Sequence, residues 1–124
     1  MKALRREHGA AAVEFALVLP ILLLVVIGIA EFGRAFFTEI SLAQAAREGA
    51  RVMALTQDSG QATAAAITAA PGLNPVLGSG NITMPSTCTE GSQVTVTVSY
   101  SLTALTGFIG PFDLQSQGAM RCGG

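Results

Sequence analysis

Glu14 is the one charge in the run from Ala10 to Ala30, and it lies five positions after Gly9. Placing a carboxylate inside an apolar run of that length costs about 3 kcal/mol on insertion scales, so the acid calls for a partner. The residues just before it offer one. If a protease cut after Gly9, Ala10 would carry a free α-amine, cationic at neutral pH. That amine would stand four residues before Glu14, one helical turn away on the same face. It can pair with Glu14 of its own chain or of a neighbour, and either pairing neutralises the acid. The interchain pairing would also set the register between helices. The plainer alternative is an acid at the membrane edge that reaches headgroups or water.

Other chemistry is sparse. The 124 residues are 50% hydrophobic and 12% charged, with a formal net charge of −1, so no basic surface for nucleic acid is expected. Mean hydropathy is +0.52, high for a freely soluble domain. The only histidine, His8, precedes the apolar run. Beyond that run there are no paired carboxylates, no glycine-rich phosphate loop and no Ser or Cys nucleophile beside a base, so no enzyme is expected. Neither a metal spacing nor a cofactor or small-molecule substrate is read from the chain. Cys88 and Cys122 both fall in the C-terminal half, where a disulfide would enclose the clearest strand. Closing such a loop is typically worth about 3–4 kcal/mol in the chain-entropy model. The sequon Asn81-Ile82-Thr83 is discounted in a bacterial chain.

The elements that must position these residues follow from periodicity. Residues 1–9 are short, polar and basic. The 21 residues from Ala10 to Ala30 span about 30 Å as a helix, the thickness of a hydrocarbon layer. Pro20 within them is tolerated as a kink or local adjustment. Lys2, Arg5 and Arg6 precede the run; Glu31, Arg34 and Glu39 follow it. The positive-inside bias leaves the N-terminus cytoplasmic and sends the rest across, in a bacterium to the periplasm, where cysteines oxidise. The helical pattern continues, with Phe32, Phe36, Ala43, Ala46, Ala50 and Met53 forming an apolar stripe. One helix is expected from about Ala10 to Gln57, roughly 70 Å long. Asp58-Ser59-Gly60 breaks it, and Asp58 or Ser59 caps a second helix over Gln61–Ala70 that ends at Pro71-Gly72.

Beyond a loop, Gln93–Leu102 alternates strictly, with Val94, Val96, Val98, Tyr100 and Leu102 on one face. That is a half-buried antiparallel strand. Asn81–Met84 and Leu114–Met120 are weaker strands beside it. The expected fold class is α+β: a long helix, a short second helix and about three antiparallel strands packed on the helix stripe. In AREGAR, Ala46–Arg51, the cations Arg47 and Arg51 suit the last turns of a long helix, and Glu48 can pair with Arg51. Gly49 costs about 1 kcal/mol of helix propensity, which suggests close packing of the strand module there. A dedicated partner contact through Arg47, Glu48 and Arg51 is the other reading.

These residues carry a resemblance. Gly9 followed by AAAV, then Glu14-Phe15 and a long apolar helix, resembles the type IV prepilin processing site. AAVEFALVLPILLLVVIGIAEFGRAF followed by AAREGARVMAL is similar to the TadE-like family of tight-adherence (Flp, type IVb) pilus-assembly proteins. The likeness covers about Arg6 to Leu55 and is looser in the two later strands. It implies a minor pilin or pseudopilin with residues 1–9 as leader, 10–30 as the membrane span and 31–124 as a periplasmic pilin-type domain. Gly9 would be the last leader residue, Ala10 the first mature one, and Glu14, followed by Phe15, the acid on which peptidase recognition or assembly depends. The implied partners are a prepilin peptidase, other pilins, a secretion ATPase and an inner-membrane platform.

Two rivals remain in the sequence. Gly28-Ile29-Ala30 has the small residues a signal peptidase needs before Glu31, but a secretory apolar core is shorter and lacks a carboxylate. An unprocessed, membrane-tethered periplasmic binding module would instead need a pocket or exposed patch within residues 59–124.

Overall fold

The structure, a computed structural model, describes the backbone of residues 2–107 and 110–123, with side chains from residue 8 onward within those ranges. Its elements are helix α1 (Lys2–Thr56), helix α2 (Ser59–Ala69), a 3-10 turn (Ser79–Asn81) and strands β1 (Ile82–Thr83), β2 (Gln93–Leu102) and β3 (Phe112–Arg121). The α+β class read from the sequence is what the chain adopts. Two compact units divide it, Met1–Arg34 and Ala35–Gly124.

The first unit is helical throughout its described residues, with Pro20 inside the helix. The helix starts at Lys2 and not at Ala10, because Ala3-Leu4-Arg5-Arg6-Glu7 is a run of strong helix formers and one glycine at position 9 costs only about 1 kcal/mol. The side chains of Lys2, Arg5 and Arg6, on which the orientation across a membrane depends, lie outside those described. From Val13 to Ile29 the large apolar side chains other than Leu19 are exposed. By length and composition α1 can cross a membrane.

The second unit holds a core built from the opposite choice of residues. Along α1 the buried positions run from Thr38 and Ser41 to Leu42, Ala45, Ala46, Gly49, Ala50, Met53 and Ala54. This corrects the expected stripe. Ala46, Ala50 and Met53 belong to it, but Phe32 and Phe36 are 71% and 61% exposed. The buried line is small because the sheet and α2 approach the helix backbone closely, which large side chains would prevent. The hydroxyl of buried Ser41 donates to the Phe37 carbonyl at 2.9 Å.

The helix ends at Gln57, whose φ of +57° is a left-handed conformation uncommon outside glycine. Asp58 then caps α2: its carboxylate accepts from the backbone N–H groups of Gly60 at 2.9 Å and Gln61 at 3.2 Å. Those bonds, Gln61's first, hold the Asp58 carboxyl below its ordinary value. α2 presents Ala62 and Ala66 to the core.

The sheet has the order β1-β2-β3, antiparallel throughout. β2 matches the alternating segment residue for residue, with Val94, Val96, Val98, Tyr100 and Leu102 buried. β1 keeps only two residues of the expected Asn81–Met84. β3 is longer than expected, and its register pairs Leu102 with Phe112 and Gln93 with Arg121. Ten residues of full pairing with β2 set its ends, from Phe112 opposite Leu102 to Arg121 opposite Gln93, beyond where its own alternation gives a signal.

Candidate functional site

The head of α1 places Gly9, Ala10, Glu14 and Phe15 in continuous helix, all four exposed. The 3.6-residue period sets Ala10 and Glu14 one turn apart on one face, with Phe15 beside them. A side chain at Gly9 would meet nothing within 4 Å. Packing inside the chain therefore does not require glycine there.

Of the three charges after the apolar run, Glu31 is buried and Arg34 half-buried, so only Glu39 stands exposed. The polar flank is thinner at the surface than in the sequence.

The AREGAR segment divides between two roles. Arg51 forms a two-pronged pair with Glu48, Nη2 to Oε1 at 2.8 Å and Nε to Oε2 at 3.1 Å. The hydrogen bond from Arg51 holds the Glu48 carboxyl below the usual carboxylate range, and Glu48 in turn raises the Arg51 guanidinium. Gly49 points the other way: a Cβ there would lie 3.3 Å from Ala66 Cβ and 3.3 Å from Val96 Cγ1. Arg47 is exposed beside a shallow depression of about 410 Å³ shared with Gln44, Glu48, Arg51 and Met120. The last turn of α1 carries no cation, since the helix runs on to Thr56, so the macrodipole reading of Arg47 and Arg51 does not hold.

Cys88 and Cys122 are bonded, with Cα atoms 5.7 Å apart and both residues buried. They sit in a small second core with Met53, Ala54, Ala62 and Val94. Backbone bonds reinforce the junction: Cys122 N–H donates to Ser92 O at 2.7 Å and Gly123 N–H to Ala54 O at 2.9 Å.

The sequence reading missed Gly118. A Cβ on this residue would stand 2.5 Å from the Ala46 carbonyl oxygen and 2.7 Å from Arg47 N, so β3 crosses directly over the α1 backbone. A lone glycine within a strand is the signal that could have found it.

The depressions on the second unit are open. One of about 360 Å³ is lined by Asn81, Ser99, Tyr100, Asp113 and Gln115, all but Tyr100 from the outer sheet surface and its rim. Among the described residues, no three of His, Cys, Asp and Glu gather as a metal site would require.

Comparisons with curated proteins and with solved structures gave no match. Residues 9–51, the segment that holds Gly9, Glu14 and the AREGAR run, are similar to the family model described as TadE-like protein.

Proposed function

We propose that this chain is a membrane-anchored minor pilin or pseudopilin of a tight-adherence pilus, cleaved by a prepilin peptidase after Gly9. The observation that carries this reading is the head of α1: Gly9-Ala10 and Glu14 one turn apart, at the start of the exposed apolar run, inside the TadE-like segment. Such a family points to a pilus-associated protein with an apolar N-terminal helix. A structural role, not a catalytic one, fits a second unit whose depressions are shallow.

The mechanism is one of charge and solvent. In the precursor, Ala10 N is a neutral amide and Glu14 has no cation from it. Hydrolysis of the Gly9–Ala10 bond creates an ammonium that pairs with Glu14, of its own or a neighbouring copy, in a medium where an unpaired carboxylate is costly. Glycine at position 9 also lowers the cost of opening the helix locally so that a peptidase can bind the backbone extended. In this reading residues 1–9 are the leader, 10–30 the span and 31–124 the periplasmic domain. The partners are the peptidase, other pilins and the inner-membrane platform.

Two substitutions separate the steps. Gly9→Leu should block cleavage and leave a membrane-held precursor. Glu14→Leu should insert at least as well as the parent, yet fail to join a pilus or its assembly complex. Full assembly by Glu14→Leu would remove the charge pairing from the account.

A further inference from the structure

We propose that the second unit docks on the outer surface of the bilayer through Phe36, Phe37, Val76 and Leu105, with zwitterionic lipid as the partner. The inference rests on α1 spanning the membrane and is otherwise independent of pilus assembly. Three parts of the chain meet at one end of this unit, the end where α1 enters it.

Phe36 and Phe37 are 61% and 53% exposed, and Val76 and Leu105 are 76% and 61% exposed. Their common level follows from packing. Val96 lies at Gly49, where a glycine Cβ would be 3.3 Å from its Cγ1. Six more residues of β2 advance about 20 Å, the length of about 13 residues of helix. That brings Leu102 level with Phe36, and Leu105 follows three residues later. Ala35 accordingly packs against the core cluster that holds Leu102. On the other flank a Gly72 Cβ would lie 3.8 Å from the Phe37 ring, and Tyr100 Oη donates to the Pro75 carbonyl at 2.8 Å. Val76 is the next residue.

The reach from the membrane fits. A span needs about 20 residues. Begun between Ala10 and Glu14, it ends between Ala30 and Arg34, leaving Phe36 and Phe37 about 3–10 Å of helix beyond. The headgroup layer is about 5–7 Å deep on each side, the depth at which apolar side chains of interfacial segments settle. The charges at this end are buried Glu31, half-buried Arg34 and the exposed carboxylates of Glu39 and Asp113, an acidic balance, whereas Arg47, Arg51 and Arg121 lie farther along α1 or at the opposite end of the sheet. Docking is therefore driven by apolar contact, and anionic lipid should not strengthen it.

The chain has no tryptophan, so single substitutions report depth directly. Full-length Val76→Trp, Leu105→Trp and Leu55→Trp chains would be reconstituted in phosphatidylcholine vesicles containing lipid brominated near the headgroup. Leu55 is as exposed as Leu105 but sits in the last turns of α1. The expected result is several-fold stronger quenching and bluer emission for Val76→Trp and Leu105→Trp than for Leu55→Trp, undiminished by salt. Equal quenching at all three positions, or a clear gain on adding anionic lipid, would overturn the proposal. A Leu22→Trp chain tests the span itself. Quenching there with none at positions 76 and 105 would sink the docking alone, and none at position 22 would sink both.

Discussion

One helix presents two kinds of surface in this chain. Between Val13 and Ile29 α1 exposes Leu, Val and Ile. Between Leu42 and Ala54 it buries mostly Ala and Gly. The contrast shows that apolar content alone does not tell which face is inside. Bulky side chains turned outward suit a medium that is itself apolar. Small ones turned inward let a sheet and a second helix come within contact of the backbone. Side-chain size, more than hydropathy, separates the two regions.

The sharpest way to break the second region is at its closest approach. Gly118→Val should unfold the unit or cost at least the upper end of the roughly 1–3 kcal/mol typical of overpacking, because the obstructing atoms are backbone. Membrane insertion of the first region should be unchanged. Urea denaturation in detergent, read beside membrane fractionation, checks both halves. A variant that kept its midpoint would show that β3 does not lie on α1 at Ala46.

The disulfide comes next. Cys88→Ser should lower stability by about 2–4 kcal/mol, since the bond closes a 34-residue separation. The larger core cluster around Leu42, Val96 and Tyr100 does not include either cysteine, so strand β2 should stay protected in hydrogen exchange while the junction near Ala54 opens. Thiol labelling of the untreated protein should find no free cysteine.

Gly49 gives a smaller and more diagnostic effect. Alanine there gains about 1 kcal/mol of helix propensity but enters contacts of 3.3 Å with Ala66 and Val96. The two effects should nearly cancel, and Gly49→Leu should be clearly destabilising. A stabilised Gly49→Leu would contradict the packing assigned to this face.

The smallest effects are electrostatic. In the folded chain the backbone N–H bonds from Gln61 and Gly60 hold the Asp58 carboxyl, and the bond from Arg51 the Glu48 carboxyl, below the ordinary carboxylate range. Depressed carboxylates stabilise the fold above their unfolded values, and that contribution fades as pH falls through the folded values. A midpoint flat from pH 5 to 7 and declining only below about pH 4 is expected. Glu48→Gln should leave it nearly unchanged, because the pair with Arg51 is exposed.

Much of this fold is legible in the sequence. β2 declared itself by strict alternation, the break at Asp58 by its capping chemistry, and the long helix by its period. The misassigned residues share a cause. Phe32 and Phe36 fit an apolar stripe by spacing, but the core selects small residues at close approach, and periodicity carries no information about distance. β3 exceeds its sequence signal because its pairing with β2, not its own pattern, sets its ends. Gly118 was overlooked since its meaning depends on what lies above it. At the head of α1 the spacing of Gly9, Ala10 and Glu14 was plain in the sequence, and the fold adds that all three stand exposed on one continuous helix.

The central claim is the cleavage that gives Glu14 its partner. Intact-mass measurement and N-terminal sequencing of the full-length gene product recovered from bacterial membranes tests it most directly. The account predicts a mature chain beginning at Ala10. A chain beginning at Met1, or at Glu31 after signal-peptidase cleavage, would contradict it.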